Sequence, residues 1–370
     1  MTPSTGDKQP QYRRHCGDAP HRVRVMIVED SAVVREFLQH AIGCDRRLQL
    51  VASVRSAEEA LRCVEQVSPD VISMDIRLPG MNGFEATRRI MADCPTPIVV
   101  VAASVDSEDL QISMNALRAG ALAVLEKPAA TTSADYAALG EQLCTRLVIM
   151  SQVNVVRQRF AVQPGGASAL TERRRTIARR RSVDSIQMVG MVASTGGPNA
   201  LDSVLKHFTR DFPTPIAIVQ HITASFQDAF VAWLRDISPL PVKEAAEAMR
   251  PEPGVVYVAP AERHLVVEPN GFRLDRGEPV CLQRPSGTIL LKSIAASYGS
   301  RALGVLLTGM GEDGAAGLHA LYDADAQTIA EDESTAVVYG MPAAAMRLGA
   351  VRESLPLHEI GPRIMELIAR

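Results

Sequence analysis

Val23-Arg24-Val25-Met26-Ile27-Val28-Glu29-Asp30-Ser31 opens the first regular pattern in this chain. An apolar, β-branched run ends on two adjacent acids, and Val33, Val34, Phe37, Leu38 and Ile42 then recur at helical spacing. A short buried strand feeding an amphipathic helix is the basic unit of a parallel sheet. The unit recurs at Leu48–Val54, Val71–Met74, Ile98–Ala103 and Ala121–Leu125, with helix-patterned segments between. Fivefold strand-helix alternation predicts a doubly wound five-stranded parallel α/β domain, with its site at the carboxyl ends of the strands.

Beyond this unit the texture changes. Residues 146–185 hold Pro164-Gly165-Gly166-Ala167-Ser168, which is linker chemistry, and two arginine clusters at 173–175 and 179–181. Alternation resumes in Met188–Ala193, Ile216–Val219, Val255–Ala259, Val305–Leu307 and Thr328–Ala330, so a second doubly wound α/β domain is expected over 186–370. Asn270-Gly271, between Val266-Val267 and Phe272–Leu274, signals a type I′ hairpin and hence an antiparallel portion there. Residues 1–21 are polar without periodicity and are expected to form a flexible extension, leaving 22–145 for the first domain.

Composition narrows the function classes. At 370 residues, with 46% hydrophobic and 22% charged residues, the chain has the make-up of a water-soluble protein with two cores. No apolar run reaches the roughly 18 residues of a membrane span and the N-terminus lacks a secretory apolar centre, so a cytoplasmic protein without membrane insertion is expected. The six cysteines form no CxxC pair, which fits reduced thiols and no zinc site. A net charge of -3 gives no pull toward nucleic acid. The arginine clusters read first as a solvated tether, next as a contact for an anionic partner and last as a nucleic-acid contact.

Two sets of residues carry chemistry. Glu29 and Asp30 end the first apolar run, Asp75 ends the third, and Lys127-Pro128 follows the fifth. Singly, each acid reads as a helix cap or a solvated loop charge. Together they are an all-oxygen cluster that repels itself unless a cation such as Mg²⁺ joins it, with a lysine alongside. With Met74-Asp75-Ile76-Arg77-Leu78-Pro79-Gly80-Met81-Asn82-Gly83 between them, they resemble the receiver domains of response regulators. That resemblance implies that Asp75 accepts a phosphoryl group from a CheA-type histidine kinase, with Mg²⁺ on Glu29, Asp30 and Asp75 and with Lys127 contacting the phosphoryl group. Receivers usually carry Ser or Thr at the end of the fourth strand and an aromatic on the fifth. Here those positions hold Ala102 and Val124, with Ser104 two residues late, so phosphorylation is expected to reach the domain interface by another route.

The second set is Ser194, followed by Thr195-Gly196-Gly197-Pro198, then Gln220-His221, then Gly309-Met310-Gly311-Glu312-Asp313-Gly314. Each follows an apolar run, so all three reach one edge of the sheet. A serine hydroxyl needs a base, and the base a carboxylate, roles that Ser194, His221 and Asp313 fill in turn. Their order is Ser, His, Asp and no G-x-S-x-G is present, which argues against a lipase-type α/β-hydrolase. Read singly, His221 is a core histidine, Asp313 an N-cap, and His264 a rival imidazole.

With Tyr257-Val258-Ala259-Pro260, Arg284-Pro285-Ser286 and Val338-Tyr339-Gly340-Met341-Pro342, these motifs resemble the protein-glutamate methylesterase family of chemotaxis, in which a receiver precedes the esterase. The resemblance implies a Ser194-His221-Asp313 triad, an oxyanion hole of main-chain N–H groups near Thr195 and Met310, no cofactor for the esterase, and a receiver that packs over the cleft until phosphorylated. Its substrates would be methyl-accepting chemotaxis receptors, with glutamine deamidation in some members. Gly287-Thr288 stands where Val-Asp is common, and Glu331 where Gln is usual. Two other readings remain: the same esterase on a non-chemotaxis signalling protein, and a receiver-controlled binding module without catalysis.

Overall fold

The computed structural model describes residues 22–102, 112, 114–117, 119–127, 133–153 and 185–369. The extension at 1–21, the arginine clusters, Ser104 and Pro128 lie outside the described residues.

The first domain is a five-stranded parallel sheet ordered β2-β1-β3-β4-β5, with β1 Val23–Val28, β2 Leu48–Val54, β3 Val71–Asp75, β4 Ile98–Ala102 and β5 Ala123–Glu126. β3 and β4 are buried along their whole length, which is why β4 reads as an unbroken apolar run and β3, up to Asp75, as one interrupted only by Ser73. Helices Ala32–Cys44, Ala57–Val67 and Gly83–Asp93 connect the strands; Asn82 caps the last by accepting from Glu85 N at 2.9 Å. The helix Ser133–Met150 continues past position 145, because Leu147 and Met150 still have core to fill on the face built from Val25, Ile27, Val99 and Val101.

The second domain is a seven-stranded, wholly parallel sheet ordered β14-β13-β12-β6-β7-β9-β8. Its centre is β6 Met188–Ala193, flanked by β7 Ile216–Gln220 and β12 Ala302–Leu306; β13 is Gln327–Glu331 and β9 Val256–Val258. The edges β8 Val242–Glu244 and β14 Glu353–Leu355 are absent from the sequence reading, since three residues are too few to set a period. The hairpin β10 His264–Glu268 with β11 Gly271–Asp275 forms, but as a separate two-stranded sheet. Its turn is Pro269-Asn270, and neither residue has positive φ, so it is not type I′. Gly271 instead opens the returning strand at φ 142°, where a Cβ would come within 2.8 Å of Met249 O.

In both sheets the strand order reverses beside a central strand, between β1 and β3 and between β6 and β12. Crossovers on either side leave those points uncovered at the carboxyl ends, and both candidate sites lie there. The apolar cluster on one face of the first sheet, with Met74, Val100, Ala102 and Leu117, runs on into that of the second, with Met191, Ala200 and Leu201. Asn199 Nδ2 donates to Leu117 O across the boundary at 2.7 Å.

Candidate active site

At the first switch point Glu29, Asp30 and Asp75 bring one carboxylate oxygen each within 4.8 Å of the others. Glu29 and Asp75 are buried, at 1% and 2% exposure, while Asp30 is open to solvent. Lys127, on the residue after β5, sends Nζ to within 3.0 Å of Glu29 Oε1 and 2.8 Å of Asp75 Oδ2. The second contact is an ion pair; among the described residues, neither Asp75 Oδ2 nor Glu29 Oε2, both buried, has an aligned hydrogen-bond donor. Burial first, and then the charge of Asp75, push the Glu29 carboxyl up to about 7 against the pull of Lys127. Burial likewise raises Asp75, with Lys127 opposing. Two buried carboxylates with unsatisfied oxygens and one wet carboxylate are a hard-cation donor set, and the residues fit Mg²⁺.

At the second switch point β6 ends at Ala193, and Ser194 begins the turn into helix Gly197–Leu205. The turn is held from both sides: Ser194 N donates to Thr308 O at 3.0 Å, and Ser194 O accepts from Gly197 N and from Gln220 Nε2, each at 2.8 Å. Gly196 stands at φ 77° with Val337 Cβ 2.6 Å from where its own Cβ would be, so both conformation and space require glycine. His221 leaves β7 one residue on and directs Nε2 to Asp313 Oδ2 at 2.8 Å. Its Nδ1 is buried and, among the described residues, has no hydrogen-bond partner. With Nε2–H donating to the carboxylate, the free lone pair lies on Nδ1, which is the arrangement of a base.

Asp313 is 2% exposed and accepts from four donors. Besides His221 these are Ser286 Oγ at 2.7 Å, Gly287 N at 2.6 Å and Thr288 N at 3.0 Å. The last two are the first main-chain N–H groups of helix Gly287–Tyr298, where the helix dipole favours an anion. Burial alone would raise this carboxyl, but His221, Ser286 and Thr288 together hold it down at about 2.

His264, the rival imidazole, is placed elsewhere: its Nε2 lies 3.0 Å from Glu278 O and its Nδ1 accepts from Ser286 N at 3.1 Å. It braces the residue that braces Asp313. Ser286 is thus a site residue that sequence reasoning quoted without a role. The available signal was a serine standing directly before a helical pattern, an N-cap whose hydroxyl has a second use.

Ser194, Thr195, His221, Met310 and Asp313 all line one cavity of about 360 Å³. Among the described residues, the main-chain N–H groups of Thr195 and Met310 have no acceptor. The opposite wall comes from the first domain, by way of Met114, Leu117, Leu122, Val124, Arg146 and Met150. Val124, which stands where receivers usually carry an aromatic, is therefore itself a wall of the cavity that holds Ser194. Glu331, at the end of β13, is fully buried behind this constellation.

Two family models match the chain: the response regulator receiver domain over residues 25–134 and the CheB methylesterase over 189–364. A protein-glutamate methylesterase/protein-glutamine glutaminase of Paramagnetospirillum magneticum is 50% identical over 346 residues, 94% of this chain and 97% of that protein. Its namesake in Nitrosospira multiformis is 42% identical over 348 residues, again 94% and 97%. The crystal structure of the Thermotoga maritima CheB methylesterase catalytic domain is 35% identical at a TM-score of 0.48, and covers 50% of this chain and 99% of that one. With relatives matched along nearly its whole length and both domain models in order, the chain belongs to the CheB family of response-regulator protein-glutamate methylesterases.

Proposed function

We propose that this protein is a serine esterase that removes methyl groups from glutamate side chains of methyl-accepting chemotaxis receptors, under control of its own phosphorylation. The observation that carries the reading is the His221–Asp313 pair in one cavity with Ser194, beneath a wall contributed by the receiver.

In this mechanism Ser194 Oγ attacks the ester carbonyl and His221 Nδ1 takes its proton. Asp313, held ionised by its donors, keeps Nε2 protonated and stabilises the imidazolium. The tetrahedral oxyanion is received by the N–H groups of Thr195 and Met310. Methanol leaves with the proton from His221, and water activated by the same nitrogen then frees the glutamate carboxylate. The curated relatives are named as glutaminases too, and the same steps on a side-chain amide would release ammonia.

In the receiver, Asp75 accepts the phosphoryl group from a CheA-type kinase. Mg²⁺ bound by Glu29, Asp30 and Asp75 would neutralise charge on the phosphoryl oxygens. Lys127 supplies the protein's own positive charge beside Asp75. In the closed arrangement the wall of Leu117, Val124 and Met150 leaves little room for a receptor helix at Ser194, so activity requires that this wall move away.

The test is methanol release from methylated receptor membranes, with and without a small phosphodonor plus Mg²⁺, beside Ser194→Ala. Serine-dependent release that rises with phosphodonor is expected. Release that survives Ser194→Ala overturns the catalytic assignment.

A further inference from the structure

Glu331 takes no part in the steps above, yet it is the one fully buried carboxylate of the esterase domain among the described residues. Its Oε2 accepts from Thr308 N at 2.8 Å and its Oε1 from Thr335 Oγ1 at 3.2 Å. The Thr335 hydroxyl already accepts from Leu357 N at 2.9 Å, which leaves its proton to be given. Both carboxylate oxygens therefore face donors, the arrangement an ionised carboxylate asks for.

What Glu331 holds is the strut behind the nucleophile. Thr308 O receives Ser194 N at 3.0 Å, and Thr308 Oγ1 donates to Thr195 O at 2.9 Å. The same hydroxyl accepts from Val338 N at 2.9 Å. One residue thus fixes the main chain of both the serine and the neighbouring oxyanion donor, and that residue is held from behind by Glu331.

We propose that Glu331 is a positioning residue for the serine turn, and that its ionised carboxylate, by gripping Thr308, sets Ser194 and Thr195 in reactive geometry. The proposal rests on the serine-esterase reading above. A charge-assisted hydrogen bond is roughly twice as strong as a neutral one, so protonating Glu331 loosens the strut. Burial pushes this carboxyl up to about 7, and the adjacent Asp332 adds to the rise, against the pull of Thr308 and Thr335. Asp332 is the ionisable neighbour that acts on it; Thr308 from the β12 side, Thr335 from the following turn and the Leu357 main chain do not titrate. Protonating Glu331 then adds its own loss of activity on the acid side.

Glu331→Gln separates these effects, because an amide oxygen accepts from Thr308 N–H at every pH while its NH₂ donates to Thr335. The measurement is kcat/KM for methanol release by the full chain between pH 5 and 9. In a plot of log(kcat/KM) against pH, the acid limb of the native protein should fall more steeply than that of Glu331→Gln in the region of about pH 7. Glu331→Gln, which carries no charge at any pH, should lose the added steepness and sit several-fold below the native alkaline plateau, and Glu331→Ala should lower the plateau roughly tenfold. Titration of the receiver is common to these proteins, so the difference in slope isolates Glu331. An acid limb as steep in Glu331→Gln as in the native protein overturns the proposal. Ser194→Ala run alongside keeps the two readings apart: if it retains activity, the esterase assignment fails first.

Discussion

The two chemical centres of this protein stand at equivalent places in two sheets and differ in how complete they are. At the receiver site, Glu29 Oε2 is buried with no hydrogen-bond partner among the described residues, and one lysine serves two carboxylates. At the esterase site, Asp313 is saturated by four donors. The first centre needs ligands to balance its charge, and the second holds its charge ready before substrate arrives. This is the expected division between a switch, whose state must depend on what binds, and a catalyst, whose dipoles should not reorganise during reaction.

The largest effect should come from breaking the prepared centre. Ser194→Ala is expected to lower methanol release by about 10⁴-fold or more, since in the proposed mechanism nucleophile and base act as a unit. If the loss were under tenfold, Ser194 would not be the nucleophile that this prepared charge serves.

At the unfinished centre, Asp75→Asn should leave the basal rate in place and abolish the rise caused by phosphodonor; omitting Mg²⁺ from the native protein should do the same. A phosphodonor response that persists in Asp75→Asn would move the acceptor to another residue. Radiolabelled phosphate incorporation reads this without relying on esterase activity.

A smaller change sharpens the contrast. Ser286→Ala removes one of the donors to Asp313 and leaves His221 in place. We expect kcat/KM to fall by roughly tenfold with KM nearly unchanged, since what is lost is stabilisation of the imidazolium in the transition state. An equivalent rise in KM with unchanged kcat would mean that Ser286 acts on substrate binding instead.

The smallest effect is one of stability. Glu331 titrates near 7 in the folded protein, above its ordinary value of 4.5. The folded state therefore binds its proton more tightly than the unfolded state does. Its contribution is fully present below about pH 4.5 and is lost as pH rises through about 7. Relative to Glu331→Gln, the native protein should lose stability on the order of 3 kcal/mol between pH 4.5 and 8. Denaturant midpoints at those two pH values, with the receiver contribution common to both proteins, measure the difference. A side chain that destabilises the fold at the pH where it is ionised fits a functional site better than a packing one.

Much of both domains was legible because parallel strands buried on two faces are continuous apolar runs. β6 carries the bounds its residues suggest on this ground; β1 and β2 do so as well, although the edge strand β2 is mostly only partly buried. Where the pattern is too short or the turn chemistry ambiguous, reading from residues fell short. The edge strands β8 and β14 have three residues each, and Asn270-Gly271 promised a type I′ turn where Pro269-Asn270 makes a different one. The helix Ser133–Met150 outlasted position 145 because the core it covers does.

What the sequence by itself determined about this protein is the set of strand-end residues: Glu29, Asp30, Asp75 and Lys127 in one domain, Ser194, His221 and Asp313 in the other. Chain direction in a parallel sheet sends every strand end to the same edge, so those positions are local information. Tertiary structure alone decided which imidazole meets Asp313, since His221 and His264 both follow or begin apolar runs and only packing separates them. It also decided that Ser286 serves the carboxylate, that Glu331 stands behind Thr308, and that Val124 walls the cavity of Ser194. Each of these pairs residues at least 22 positions apart in the chain, on elements that meet only once the sheets are closed, and no local pattern encodes such a meeting.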